Sequence, residues 1–402
     1  MVRAALITCA IAGLMAGTTH ARAQDNFDIE TSAKVTGVAG YSEAEDALDG
    51  DLDADIKVVG STVFENGLEV GVGASARLDG QAPARGLAGG RISGPMSGGD
   101  RGFGDDTGDA AVDQAYIYAF GGLGRLAIGR EIGVGDKFAV TSPNIFTSVA
   151  VNGWRTDLTR LIDIHTINDF SSTAAKFSYI APQGVLGGAI GRLSFGLSYT
   201  PSTDVCGEEY CFTGPGAVTL VGGDPANAIP ADANWEEILE YALYYEKAFG
   251  DFSFGLGASY LTAEEQSGVL SDVFDDYEAY SIGLNLAFGG FTLGGSVKNT
   301  NGGYADTQED GYLAFDAGVT YETGGWGFMF GYGNSDAGHE ISNPLDLTLF
   351  RQTEAYQTGV TFAFDSGVTL GAAAQFVESE KPDLAGGEEE AAAIVLESSI
   401  RF

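Results

Sequence analysis

AFGGFTLGGSVKN, residues 287–299, holds an apolar run, a Gly-Gly turn and a second run in which Phe291, Leu293, Gly295 and Val297 alternate with Thr292, Gly294, Ser296 and Lys298. One parity is apolar and the other small or polar, the period-two pattern of a strand with different surroundings on its two faces. The phrase recurs. AFGDFSFGLGASY (248–260), ETGGWGFMFGYGN (322–334), AFDSGVTLGAAAQ (363–375) and VFENGLEVGVGAS (63–75) each place a tight turn before an alternating run.

Working outward, tight turns fall near Asn66, Gly121, Gly184, Gly250, Gly289, Gly324 and Ser366. The connections between them are long, polar and acidic, over about 42–54, 80–109, 131–173, 201–236, 265–276, 301–310, 338–353 and 381–389. A soluble sandwich turns tightly at both ends and buries its apolar face on a second sheet. Short turns on one side and long loops on the other predict an all-β transmembrane antiparallel barrel, because lipid tolerates no unpaired backbone and the sheet must close. Sixteen runs satisfy the pattern: 28–41, 55–65, 68–79, 112–120, 124–130, 174–182, 192–200, 237–248, 252–263, 277–288, 291–300, 311–322, 326–335, 354–364, 368–378 and 390–402. Aromatics including Tyr41, Tyr116, Tyr118, Phe120, Tyr241, Tyr260, Phe288 and Trp326 lie near the expected membrane interfaces.

Residues 1–23 read separately, with Arg3 before an apolar stretch and Ala21-Arg22-Ala23 before Gln24. This is the pattern of a cleaved secretory signal peptide, leaving one barrel domain over 24–402. Cleavage removes two bases and no acid, taking the formal charge from −36 to −38. Nucleic acid is a poor partner for such a chain. Cys206 and Cys211, in an exported protein and with no histidine nearby, predict one small loop-closing disulfide.

Three stretches carry a resemblance to the Gram-negative general porins: FGGLGRLAIGREIG (120–133), AAKFSYIAPQGVLGG (174–188) and ESSIRF (397–402). The resemblance implies a homotrimer of sixteen-stranded barrels in the outer membrane, in contact with lipid and lipopolysaccharide. It further implies assembly through a terminal strand ending at Phe402, a third loop (131–173) folded inward to narrow the pore, and passive diffusion of ions and small hydrophilic solutes without a cofactor. A substrate-selective channel with a binding track along the lumen stands as the alternative.

Strand parity puts Lys34, Lys57, Arg77 and Lys176 on the polar face, resembling the basic cluster that general porins set on the wall. Arg130 joins them where its strand bends into the third loop, although its strict parity matches outward Leu126 and Ile128. Opposite them the loop supplies Glu131, Asp136, Asp157, Asp163 and Asp169, of which two or three are expected to reach the lumen. Opposed charges across a narrow water column orient dipolar solutes, and the excess acid predicts mild cation preference. SEAEDALDGDLDAD (42–55) reads as a solvated acidic loop in which Asp49, Asp51, Asp53 and Asp55 are weak candidates for Ca²⁺ or Mg²⁺; Ala54 breaks an EF-hand pattern at its sixth position. His165, between Asp163 and Asp169, reads as a loop residue packed on the wall rather than a catalytic base, and no nucleophile motif points to an enzyme. A plugged transporter of about 22 strands finds no room ahead of the first strand.

Overall fold

The computed structural model describes residues 27–43, 47–78, 110–153, 157–159, 161–182, 191–202, 218–219, 228–229, 235–265, 276–301, 311–341, 347–380 and 387–402. The leader (1–23), the second loop (80–109) and the pair Cys206 and Cys211 lie outside the described residues. The wall is built from β1 (Phe27–Ser42), β2 (Ala47–Val63), β3 (Glu69–Leu78), β4 (Ala110–Gly121), β5 (Gly124–Arg130), β6 (Ala175–Ile180), β7 (Arg192–Ser202), β10 (Trp235–Phe249), β11 (Phe252–Glu265), β12 (Tyr277–Phe288), β13 (Phe291–Thr300), β14 (Tyr312–Thr323), β15 (Trp326–Ile341), β16 (Leu347–Ala363), β17 (Val368–Glu380) and β18 (Glu388–Arg401). Two short strands, β8 (Val218–Thr219) and β9 (Ala228–Ile229), pair with each other apart from the wall.

The sixteen wall strands form one closed antiparallel barrel. Each pairs with its sequence neighbour, and β18 closes on β1 with Lys34 opposite Arg401 and Val38 opposite Glu397. Closure leaves no sheet edge facing lipid, as a non-aqueous solvent demands. Among the described residues no helix is long and apolar enough to cross a membrane. Two turns explain why the hairpins are so tight. Gly289-Gly290 and Gly324-Gly325 take positive φ at both positions (58° and 86°; 55° and 86°), the geometry that lets a two-residue loop follow the strand twist.

Outward positions carry the apolar load. Leu293, Phe330, Ile117, Ile394 and Leu396 are half-exposed or more on the outer face, where hydrocarbon is their solvent. The expected strands match closely from β10 to β14, and three others, β2, β15 and β16, run further.

The stretch taken as an acidic loop is the first half of β2, since the strand starts at Ala47 rather than near 55. Its acids obey period two: Leu48 and Leu52 face out, and Asp53 and Asp55 take the inward register with Thr36 and Lys34. A strand sets successive same-face residues about 6.7 Å apart, so these carboxylates form a ladder rather than a loop cage. No group of three or more metal-binding side chains occurs among the described residues. Asp53 is buried and Asp55 lies 3.6 Å from Lys34, whereas the side chains of Asp49 and Asp51 lie outside what is described.

A second correction concerns Tyr116 and Tyr118. They sit on the inward face of β4, in register with Gly73 and Gly71, and each ring lies where a side chain on its glycine would stand.

Candidate functional site: the third loop and the inner wall

Between Arg130 and Ala175 the chain leaves the sheet and runs inside the barrel. Inward glycines prepare its bed. A Cβ on Gly196 would stand 2.8 Å from Val134, and one on Gly359 or Gly371 would stand 2.5 or 2.6 Å from the Phe146 ring. Gly257 and Gly283 face the backbone of Phe138 and Val140, Gly327 faces Ile145, and Gly331 faces Val151. Much of the small-residue parity therefore faces protein rather than water.

Three wall carboxylates fasten the loop, chiefly its outbound leg. Glu240 on β10 accepts from the Gly135 N–H at 3.1 Å and from the Ser171 hydroxyl. Asp316 on β14 accepts from Ser142 N and Ser296 N (2.8 Å each), Asn152 Nδ2 (3.0 Å) and the Thr166 hydroxyl (2.6 Å). Glu397 on β18 accepts from Thr147 N, Ser148 N and Val149 N. Ionised acceptors taking backbone N–H groups make the stronger class of hydrogen bond.

On the return leg amines hold carbonyls: Lys298 donates to Ile167 O (2.8 Å), and Lys176 donates to the carbonyls of Ser171 (3.4 Å), Ser172 and Glu131 (2.6 Å). Tyr312 receives the His165 N–H and donates to Asp163 O, both at 2.8 Å. Phe170 stacks on Tyr277 at 4.3 Å. Val151, Ile162 and Ile164 pack with wall residues Tyr312, Ala355, Val377 and Ala391, and a second cluster joins Phe146, Val149 and Leu158 to Val38, Met329 and Val395. The barrel has an apolar core of its own.

This circuit decides where the expected charges stand. Lys34 and Lys57 have inward register and reach solvent on β1 and β2, beside exposed Asp28, Glu30 and Ser32. Arg77 is in register with Asp55, its side chain lying outside what is described. Arg130 pairs with Ala115 at outward parity, while Leu126 and Ile128 are exposed beside it.

Lys176 corrects the expectation: at 2 % exposure it ties the root of the loop and lines no water. The loop acids are corrected likewise. Asp157 is buried and accepts from Thr159 N, the Thr159 hydroxyl and Ile162 N, folding the loop on itself. Asp163 is buried, and His165 is buried too, its backbone N–H on Tyr312 of the wall and its Nε2 2.8 Å from Asp169. Asp136, in the short helix Val134–Lys137, stays partly exposed.

Glu131 finds a partner that sequence reasoning passed over. Arg125, inward on β5 beside outward Leu126, grips it bidentately (2.7 and 3.1 Å), and Lys137 adds a contact at 2.8 Å. The guanidinium also lies 5.2 and 5.1 Å from the Tyr116 and Tyr118 rings, and Tyr118 donates to Glu69 at 2.6 Å. Strict parity on GRLAIGR marks Arg125 as the inward base of that strand.

Burial works to raise the Glu131 pKa, but the bond from Arg125 and the charge of Lys137 outweigh it and hold the group below its usual 4.5. A depressed folded value gives stability that is complete above the unfolded pKa and is lost as pH falls through the folded one. The loop root is thus expected to stay tied as pH drops through 4.5 and to loosen only below it, whereas in Arg125→Ala loosening starts at higher pH. Conductance recorded against pH checks this; coincident profiles would refute it.

With this geometry in hand, known proteins can be compared. The model of the family described as Gram-negative porin matches residues 8–382. Solved structures share the fold. OmpF of Salmonella typhi in complex with daunomycin is 14 % identical, with TM-score 0.59 over 94 % of this chain and 99 % of that one. The outer membrane channel DcaP of Acinetobacter baumannii is 13 % identical, with TM-score 0.58 over 94 % and 99 %. An anion-selective porin from Comamonas acidovorans is 13 % identical, with TM-score 0.53 over 94 % and 100 %. No curated protein matches the chain.

Proposed function

Because this chain belongs to the Gram-negative porin family and is an integral β-barrel channel of the outer membrane, we propose that it passes ions and small hydrophilic solutes by passive diffusion, with a mild preference for cations. The observation that carries the reading is a closed barrel whose interior is narrowed, without a plug domain among the described residues, by a loop bonded to the wall. The passage runs beside the Lys34 and Lys57 side of the wall, and the formal charge of −36 supplies the cation preference by concentrating counter-ions at the mouth. The Comamonas relative is described as anion-selective on the same fold, so the sign of selectivity is a matter of individual side chains. Catalysis has no support from His165, which is buried against Asp169. Assembly as a homotrimer, contact with lipopolysaccharide and recognition of the strand ending at Phe402 by the insertion machinery belong to the same proposal.

Reconstitution in a planar bilayer tests it. Stepwise ohmic conductance with a weakly cationic reversal potential is expected, and absence of conductance overturns the reading. Neutralising Lys34, Lys57 and Arg77 together is expected to sharpen the cation preference. The effect should fade once salt screens beyond about 10 Å at 0.1 M. An unchanged reversal potential in an assembled variant would place the selective charges elsewhere.

A substrate-selective channel draws support from one observation, the inward column of Tyr116 and Tyr118 beside Arg125. Saturable block of the ion current by one solute class, removed in Tyr118→Ala, would favour that second reading.

A further inference from the structure

At the short-turn end of the barrel a cavity of about 590 Å³ lies between the third loop, at Asn144 and Thr147, and the wall from β14 to β18. Its volume is that of a small-molecule site. Two charged side chains join its lining, Glu322 near the end of β14 and Arg401 at the end of β18. Strand parity points both inward: Glu322 continues the row of Asp316 and Thr320, and Arg401 that of Glu397 and Ser399. Neither is spent on the protein. Their backbone N–H groups bond Gly290 O and Gly367 O, while their side chains have no hydrogen-bond or ion-pair partner among the described residues.

The surroundings of each charge ask for its opposite. Arg401 stands directly across from Lys34 in the β18–β1 pair, and like charges so placed destabilise a strand pair. Asp55, 3.6 Å from Lys34, answers only one of the two. An anion beside Arg401 is thereby favoured. Glu322 has Gly327 and then Thr361 as its neighbours in register, so no base answers it across those strands.

Spacing decides what could meet both. Through Gly327, Thr361 and Gly371 the register of Glu322 leads to Glu397, four strands away and four residues short of Arg401. At about 4.8 Å per strand and 3.4 Å per residue the two backbones stand roughly 20 Å apart. Side chains reaching inward leave a gap on the order of 10 Å between the charges. The ammonium and carboxylate of a free amino acid share one carbon and do not span it. The ends of an extended three-residue chain, at about 3.3–3.6 Å per residue, do. Between them the lining offers the hydroxyls of Thr147, Thr361 and Thr369 to peptide groups.

We propose that this cavity binds short zwitterionic peptides, with the peptide carboxylate on Arg401 and the ammonium group on Glu322. The proposal rests on the channel reading above and names a solute class for it. Both charges are exposed, so the site is weak, as a channel that must release its solute requires. A peptide held there lies against the third loop and obstructs the current.

The test records the full chain in a planar bilayer while triglycine, acetyl-triglycine, triglycine amide and glycine are added in turn to both chambers. Triglycine is expected to block at a concentration about threefold or more below either single-charge peptide, an effect of the size that exposed ion pairs give. Glycine should block least. Glu322→Gln is expected to erase the difference between triglycine and acetyl-triglycine, and Arg401→Gln that between triglycine and its amide. Electrophoretic mobility before and after heating reads barrel closure. If Arg401→Gln fails to close, Glu322→Gln on its separate strand decides together with the peptide series on the parent. A ranking that follows net charge alone, amide first and acetylated peptide last, would reflect only the acidity of the mouth and overturns the site. Equal block by all four solutes, or unchanged discrimination in closed variants, overturns it too. A silent parent overturns the channel reading instead.

Discussion

Excising the third loop between Val134 and Ser172 is expected to raise single-channel conductance several-fold and, in the same molecule, to lower the temperature at which the barrel opens. The first effect follows from removing two legs of chain from the lumen. The second follows from what the legs cover. Tyr312, Val377 and Val395 face inward and are fully buried in clusters that they share with loop residues. Each such side chain returned to water forfeits about 1.5–3 kcal/mol. Glu240, Asp316 and Glu397 lose their bonds too but regain hydration, so the apolar loss dominates. Bilayer recording and heat-dependent electrophoretic mobility check the two halves. A shortened chain with parental conductance would show that the loop does not restrict the passage.

Gly283→Leu is expected to act in the opposite direction on conductance. A Cβ at this position would overlap the Val140 carbonyl oxygen, and the side chain beyond it would occupy the place of the outbound leg. Backbone cannot swing aside as a side-chain tip can, so the leg must lift off the wall toward the remaining water. Overpacking of this kind costs about 1–3 kcal/mol, to be read as a lower unfolding temperature alongside reduced conductance. Gly255→Ala is the control: it shares the inward face of the neighbouring strand, and its nearest atom, the Tyr244 hydroxyl oxygen, is 3.7 Å away. If both variants conduct alike, the glycine bed does not set the loop's height.

The barrel was legible in the sequence because lipid on one face makes period two strict: Phe291 to Thr300 and Phe252 to Glu265 show it directly. The half-strand 47–54 was not, since its acid density suggested a loop while Leu48 and Leu52 kept the alternation. The interior was harder to read. Period two says that Lys176, Asp316 and Glu397 point inward, but not whether water or the loop meets them there. Lys176 and Lys34 look alike in sequence, and one ties a loop root while the other reaches solvent. Arg125 could have been found from parity on its own strand. Its bidentate hold on Glu131 could not, because that depends on the direction in which the chain leaves Arg130.

The spacing of the three carboxylate anchors has a mechanical consequence. Glu240, Asp316 and Glu397 stand on β10, β14 and β18, four strands apart each time, so the loop is riveted along half of the circumference. A thin-walled tube under lateral pressure flattens where its wall bends most easily. Here the arc of ten strands from β7 to β18 is double-skinned, and any ovalisation must be taken up in the single-skinned arc from β2 to β5. That arc carries Lys57 and Arg125, so membrane tension would be felt first by the charges beside the water column.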